Sequence, residues 1–268
     1  MSRVVAITGA SDGIGAELAR QLAAREGGRL SLVLTARNQA ALDAVAETCR
    51  RQGTQVLTVA FDVRDRVACQ RLPAVVSDAF GRLDVLVNNA GVSAHAMLGD
   101  VAADDLAWYE DVMAVNFWGT VWCTHAALPL LRASRGQVVA VSSLAGLVGV
   151  PGRTAYCASK FAMGGFMEAL RTEEARHGVA VTVAYPGVVD TRIRHRGYNA
   201  SGQAAGSSGL REDDVMPVST CARLILQGMN ARQREVVMTA KGRLGRWLKL
   251  VAPGWVDRMA WQALQRSR

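Results

Sequence analysis

Apolar residues in this chain come in short blocks set apart by longer stretches of mixed character. RVVAIT (3–8), LSLVLT (30–35), QVLTVAF (55–61), LDVLVNNAG (83–91), GQVVAVSS (136–143) and VAVTVAYPG (179–187) are nearly unbroken apolar runs of strand length. AELARQLAAREG (16–27), QAALDAVAETCRRQG (39–53), RVACQRLPAVVSDAFG (66–81) and YEDVMAVNFWGTVWCTHAAL (109–128) read as helices. Alternation of this kind predicts βαβ units on a sheet buried on both faces. The expected fold is one α/β domain of the doubly wound Rossmann type. Its sheet is mostly parallel, of about seven strands, with helices on both faces. No proline-rich linker divides the chain.

Two stretches break the rhythm. Residues 197–209, GYNASGQAAGSSG, are rich in glycine and serine and read as a loop. With its flanks this segment, 190–215, is expected to be a mobile substrate loop, because ligands of open α/β sheets sit beyond the carboxyl ends of strands. Residues 241–268 place Leu244, Trp247, Leu248 and Val251 at i, i+3, i+4 and i+7, with Arg243, Arg246 and Lys249 on the other face. The division expected is therefore 1–240 for the main domain and 241–268 for an amphipathic helical extension. Its tryptophan and basic residues fit a helix in a membrane interface, a peripheral contact. The alternative is packing of the stripe on this subunit or a neighbouring one.

Composition narrows the class. The 268 residues are 50% apolar and 20% charged, as in globular proteins. Lys and Arg number 31 against 23 acidic residues, a net charge of +8, but no nucleic-acid-binding motif accompanies that excess. Five widely spaced cysteines without a CxxC pair point to reduced thiols. The first residues lack the apolar segment of a signal peptide, so a cytoplasmic location is expected. His95, His125, His177 and His195 have no metal-ligand spacing, and no metal is expected.

The chemistry lies at the ends of the strands. TGASDGIG, Thr8 to Gly15, follows a strand and opens a helix; Gly9, Gly13 and Gly15 would let a pyrophosphate approach the backbone. The second strand ends in Ala36 and Arg37, where an acidic residue would hold a ribose 2′-hydroxyl and an arginine fork suits a 2′-phosphate. NNAG (88–91) ends another strand, and Asn116 is a polar residue in an apolar helix. Tyr156 and Lys160, four apart, share a helix face. A phenol titrates near 10, too high for neutral acid–base work unless a cation such as Lys160 favours phenolate. Ser143, at the end of an apolar run, would hold the oxygen that exchanges the proton.

Taken in order and spacing, TGASDGIG, NNAG, Asn116, Ser143, YCASK and Pro186-Gly187 resemble the short-chain dehydrogenase/reductase family, over residues 3 to 240. The resemblance implies a catalytic tetrad. Tyr156 is its acid/base, Lys160 lowers the phenol and holds the nicotinamide ribose, and Ser143 orients the substrate oxygen. Asn116 anchors a relay water. It also implies cofactor contacts from Gly9, Ser11, Asp12, Gly13, Ile14 and Gly15, from Arg37, Asp62 and Val63, and from Asn89, Ala90 and Gly91. Further contacts come from Tyr156, Lys160, Pro186, Gly187, Val189 and Thr191. NADP(H) is the preferred cofactor, NAD(H) the alternative, since Asp12 stands where NADP-preferring relatives often carry a basic residue. The implied function is hydride transfer between the nicotinamide and a carbonyl or secondary alcohol. The other reading is a non-catalytic NADP-binding sensor or scaffold of the same fold. Ala94, Met97, Leu144, Val150, Pro151 and Val188 are candidate pocket walls, which suggests a lipophilic small-molecule substrate. A homodimer or homotetramer is expected through residues 107–132 and 154–177, with Met163, Phe166 and Met167 on the second helix as contacts.

Overall fold

The structure is a computed structural model that describes residues 2–206 and 215–265. Residues 207–214 of the expected substrate loop and 266–268 of the extension lie outside the described residues. Strands β1 (Arg3–Thr8), β2 (Leu30–Ala36), β3 (Gln55–Ala60), β4 (Val85–Asn88), β5 (Gln137–Val141), β6 (Ala180–Tyr185) and β7 (Glu235–Val237) form one sheet of order β3-β2-β1-β4-β5-β6-β7. Every neighbouring pair is parallel, so the sheet is wholly rather than mostly parallel. β7 has only three residues, too few to show a period in the sequence.

Helices α1 (Gly13–Glu26), α2 (Gln39–Arg50) and α7 (Val218–Asn230) cover one face. The other face is covered by α3 (Arg66–Phe80), α5 (Gly119–Ser134) and α6 (Thr154–Glu174). Strand periodicity sorts the side chains: Val5 and Ile7 join the first core, Val4 and Ala6 the second. With both faces covered, a strand has no polar side, which is why its sequence reads as an unbroken apolar run. Met163 and Met167 of α6 are fully buried in the second core, and Phe166 packs at its edge. The two methionines therefore form the interior and not a subunit contact, because α6 turns that stripe onto the sheet.

The helix before α5 begins as α4 (Ala107–Met113) and passes through a π turn, Ala114–Trp118, that contains Asn116. Two helices follow β7, α8 (Ala240–Val251) and α9 (Pro253–Gln265). Most of the apolar stripe of α8 faces away from the protein body, with Leu248 alone of its four residues half-buried. Leu244, Trp247 and Val251 are 64%, 63% and 80% exposed. The helix docks instead through its glycine and basic positions. A side chain on Gly242 would lie 2.3 Å from Leu144 Cδ2. Arg246 pairs with Glu235, and Lys249 Nζ donates to the Leu147 carbonyl (3.3 Å) over the Phe161 ring. Two of the three basic residues are thus spent on the protein body, and this turns the stripe outward. Among the described residues no helix is long and apolar enough to cross a membrane.

Candidate active site

Strand order reverses between β1 and β4, and the crevice beyond their carboxyl ends is where ligands of such sheets bind. The TGAS turn leaves β1 and the NNAG segment leaves β4 side by side. The Thr8 hydroxyl accepts from the Asn89 and Ala90 amides, both at 3.0 Å. Asn89 Nδ2 donates to the Thr8 and Gly9 carbonyls at 3.0 and 3.1 Å. The turn is too tight for side chains. A Cβ on Gly15 would lie 2.4 Å from the Gly9 carbonyl oxygen, and one on Gly9, at φ +66°, 2.8 Å from Ala90 Cα. These glycines bring backbone rather than side chains to the crevice at the start of α1, and a helix N-terminus there could hold an anion such as a pyrophosphate. Ser11 lies on the turn, and Ile14 packs on the first core.

Asp12 caps α1 by accepting from the Gly13 amide (2.8 Å). Its other oxygen faces Arg196 (3.3 Å) and Arg192 (3.7 Å) of the loop after β6. Its charge is thus offset by two cations. Arg37, just past β2, is two-thirds exposed (67%) and lies 3.8 Å from Asp62, past β3. Burial alone would raise the Asp62 carboxyl, but hydrogen bonds from Arg64 and the charges of Arg64 and Arg37 hold it below its usual value. Val63 is buried against Gly119, where a Cβ would come within 2.8 Å of its own; its side chain is turned from the crevice.

Asn116 is completely buried. Its Oδ1 accepts from the Val92 amide (2.8 Å), and its Nδ2 donates to the Val92 carbonyl (3.0 Å) and the Ser159 hydroxyl (2.9 Å). Both amide protons are used by protein, so the side chain ties the segment after β4 to α6 and has no donor left for a water. Tyr156, Ser159 and Lys160 ride on α6. Ser143 caps the short turn after β5, its Oγ accepting from the Ala145 amide (3.2 Å), and its hydroxyl lies close enough to the Tyr156 phenol to favour the phenolate.

Tyr156 is buried, and burial raises its phenol above 10; the Ser143 hydroxyl and the charge of Arg153 work against that rise. The Lys160 Nζ sits 5.8 Å from the ring centroid and donates to the Val141 carbonyl at 3.0 Å. Burial brings Lys160 down to about 8. Arg153 is the cation that opposes the rise at Tyr156, and the expected lowering by Lys160 is not seen among the influences on the phenol here. Gly91 closes the same corner, where a side chain would meet Asn116 Oδ1 and Lys160 Nζ.

Thr191 lies on the glycine turn, its Cγ2 3.2 Å from where a Gly13 Cβ would stand. The Pro186 carbonyl accepts from the Leu144 amide (2.9 Å), Gly187 lies against Thr239, and Val189 is buried and bridged to Met216. Of the expected walls, Val150 packs against Tyr156 and Cys157, Ala94 is buried beside Tyr198, and Met97 lies over Gly152. A cavity of about 830 Å³ opens between Gly149–Cys157 and α9, with Val150 and Pro151 on one side and Trp261 on the other. It adjoins the Tyr156 cluster through Val150 and Cys157 and does not contain Tyr156 itself.

The sequence reading missed three polar residues at this end of the sheet. Arg153 precedes α6 and lies 6.0 Å from the Tyr156 ring centroid, with its Nη2 3.0 Å from His95 Nδ1. Arg194, in the loop after β6, is buried. Arg153 stands three residues before Tyr156, a spacing that puts both on one helix face. His95 and Arg194 carry no local signal; tertiary packing alone brings them together.

The model of the short chain dehydrogenase family matches residues 3–200. The chain belongs to the short-chain dehydrogenase/reductase family. It is 36% identical over 270 residues to 11-beta-hydroxysteroid dehydrogenase A of Sesamum indicum, covering 97% of this chain and 76% of that one. It is 34% identical to dehydrogenase/reductase SDR family member 7B of Bos taurus, covering 99% and 82%. Among solved structures, a short-chain dehydrogenase/reductase from Burkholderia phymatum in complex with NAD superposes with a TM-score of 0.77 at 25% identity, over 93% of this chain and 95% of that one. An alcohol dehydrogenase from Thermococcus sibiricus complexed with 5-hydroxy-NADP shares the fold, with a TM-score of 0.73 at 24% identity over 88% and 94%. As a short-chain dehydrogenase/reductase, the protein is an NAD(P)-dependent oxidoreductase acting on CH–OH and C=O groups.

Proposed function

We propose that the enzyme uses NADP(H) to interconvert a carbonyl compound and its secondary alcohol, with Tyr156 as the acid/base. The observation that supports this most is the buried Tyr156 phenol beside Ser143, with Lys160 next to it and Gly91 at the Lys160 ammonium. The bound nicotinamide supplies or accepts the hydride. The rest falls to the chain. Gly9, Gly13 and Gly15, with Ser11 and Ile14, hold the pyrophosphate on the α1 N-terminus. Arg37 takes the 2′-phosphate, Asp62 and Val63 border the adenine, and Asn89, Ala90 and Gly91 line the sugars. Pro186, Gly187, Val189 and Thr191 hold the carboxamide end. Asp12, already flanked by Arg192 and Arg196, does not repel a phosphate at Arg37.

In the reducing direction Ser143 holds the carbonyl oxygen while Tyr156 gives it a proton. The Lys160 ammonium, present below about pH 8, and Arg153 then stabilise the phenolate, and Lys160 also holds the ribose. Asn116 acts by position, fixing Val92 against Ser159. The pocket walls are mainly apolar, which supports a substrate with a hydrocarbon body. Residues 1–240 would carry the reaction, and α9 of the C-terminal extension would roof the neighbouring cavity. The exposed stripe of α8, with Trp255 of α9 at 54% exposed, supports a peripheral membrane contact. Trp118, 45% exposed and stacked on Trp122, supports self-association through α5. The test is a panel of ketones and aldehydes offered with NADPH and with NADH, followed at the nicotinamide absorbance. Turnover with NADPH exceeding that with NADH is expected; turnover with NADH alone overturns the cofactor assignment, and none with either overturns the reading.

A further inference from the structure

Arginines in this protein are well partnered where their role is structural. Arg132 makes two hydrogen bonds to the buried Glu174, at 2.6 and 2.8 Å, and Arg192 and Arg196 both face Asp12. Two arginines near His95 break this pattern, and one of them, Arg153, lies 6.0 Å from the Tyr156 ring centroid. Arg194 is 8% exposed, its Nη1 is buried with no hydrogen-bond partner, and its Nη2 reaches only the Val189 carbonyl at a long 3.5 Å. Arg153 has a single side-chain hydrogen bond, to the neutral acceptor His95 Nδ1. Among the described residues no carboxylate pairs with either. Each is close enough to His95 that both charges lower its pKa, and Arg194 also disfavours the charge on Arg153. His95 can offer no counter-charge: burial and these two cations bring it to about 4, and its Nε2 faces the Ser93 hydroxyl at 3.2 Å.

Two guanidinium groups near enough for one to disfavour the other's charge, with little water about them, are unfavourable unless an anion joins them. The Tyr156 phenol does not serve, since burial keeps it protonated. A planar fork of N–H donors matches a carboxylate, and the adjoining walls, Ala94, Met97 and Val150, suit a short hydrocarbon segment rather than a bulky polar one. We propose that Arg153 and Arg194 form a carboxylate-binding subsite of the active site, so that the substrates are oxo acids and hydroxy acids whose carboxylate is held there while the carbonyl oxygen meets Ser143 and Tyr156. In the reaction the carbonyl carbon gains the hydride of NADPH, its oxygen gains the Tyr156 proton, and the carboxylate is unchanged. The subsite deepens the reading of Tyr156 as the acid and rests on it.

The test compares kcat/KM with saturating NADPH for 3-oxobutanoate, 4-oxopentanoate and 5-oxohexanoate against their methyl esters. The acid is expected to exceed its ester at least tenfold at one chain length. Arg153→Gln and Arg194→Gln should each reduce that acid-to-ester ratio about ten- to a hundredfold, the loss expected for a charge-assisted contact. A role confined to holding the loop would lower both substrates and leave the ratio alone. Esters reduced as well as acids, or a ratio that survives both substitutions, overturns the subsite. Calorimetry of the NADPH complex with pentanoate, pentanamide and inorganic phosphate reads the site without turnover. Pentanoate binding that is lost in Arg153→Gln, the more exposed and safer variant, supports the subsite even where no ketone is reduced. Equal binding of pentanoate and pentanamide, or binding of phosphate without pentanoate, overturns it.

Discussion

Arg37 lies near Asp62 at the ends of β2 and β3, and under the proposed reading a 2′-phosphate would take it from that partner. Its contact with Asp62 is long, 3.8 Å, and exposed, so it is worth little and a 2′-phosphate would displace it readily. Arg37→Asp is expected to weaken NADPH binding about ten- to a hundredfold, as removal of a charge-assisted contact does, while NADH binding holds or improves. Equal losses for both cofactors in fluorescence titrations would remove Arg37 from the phosphate site. His95 gives a pH signature. Its folded value of about 4 lies below the ordinary 6.5, so between these values the unfolded chain binds more protons. Stability from this group is complete above about 6.5 and is lost as pH falls towards 4. His95→Gln should flatten that part of the melting-temperature profile, and an NMR titration should find the His95 ring neutral down to about pH 5; a midpoint near 6.5 would contradict the burial argument. At this scale Tyr156, Lys160, Ser143 and the glycines were legible because their spacing is local. The competition between burial and charge at Tyr156 was not, since it depends on how much water the fold removes.

Elements carry the site through a few close approaches. Gly15, in the first turn of α1, lies under the Gly9 carbonyl, and this fixes the angle at which the helix N-terminus faces the crevice. Gly15→Ala would force backbone apart at a 2.4 Å approach; a destabilisation of about 1–3 kcal/mol is expected from such overpacking. Cofactor affinity should fall with it, as checked by urea unfolding and NADPH titration. A variant as stable and as tight as the parent would show that the turn is looser than described. The alternation of elements failed at the three-residue β7, but from β1 to β6 it was readable because both sheet faces are covered. The direction of each amphipathic stripe was not. The α6 methionines and the α8 leucine–tryptophan stripe have the same helical period, yet one faces the sheet and the other faces out. What separates them is nonlocal: α6 lies over the sheet, whereas Gly242 lets the opposite side of α8 approach Leu144 and Glu235 draws Arg246 inward. The π turn around Asn116 was also invisible, since one extra residue in a helix leaves the apolar pattern almost unchanged.

For the molecule as a whole, the parallel sheet puts every ligand-bearing loop at one end, and the C-terminal helices bring an outward apolar face close to that end. The protein is expected to float with anionic vesicles, and a chain carrying Leu244→Ser, Trp247→Ser and Val251→Ser is expected to stay at the bottom. If the parent does not float and sedimentation shows an oligomer that the triple variant dissolves, the face is a subunit contact and the membrane reading falls. The account as a whole turns on one hydroxyl. The most direct test is the Tyr156→Phe enzyme, measured for NADPH binding by fluorescence and for turnover with the best carbonyl substrate. The account predicts near-parental NADPH affinity with kcat reduced at least about a hundredfold, the usual contribution of general acid catalysis. Retention of more than about a tenth of kcat would contradict it.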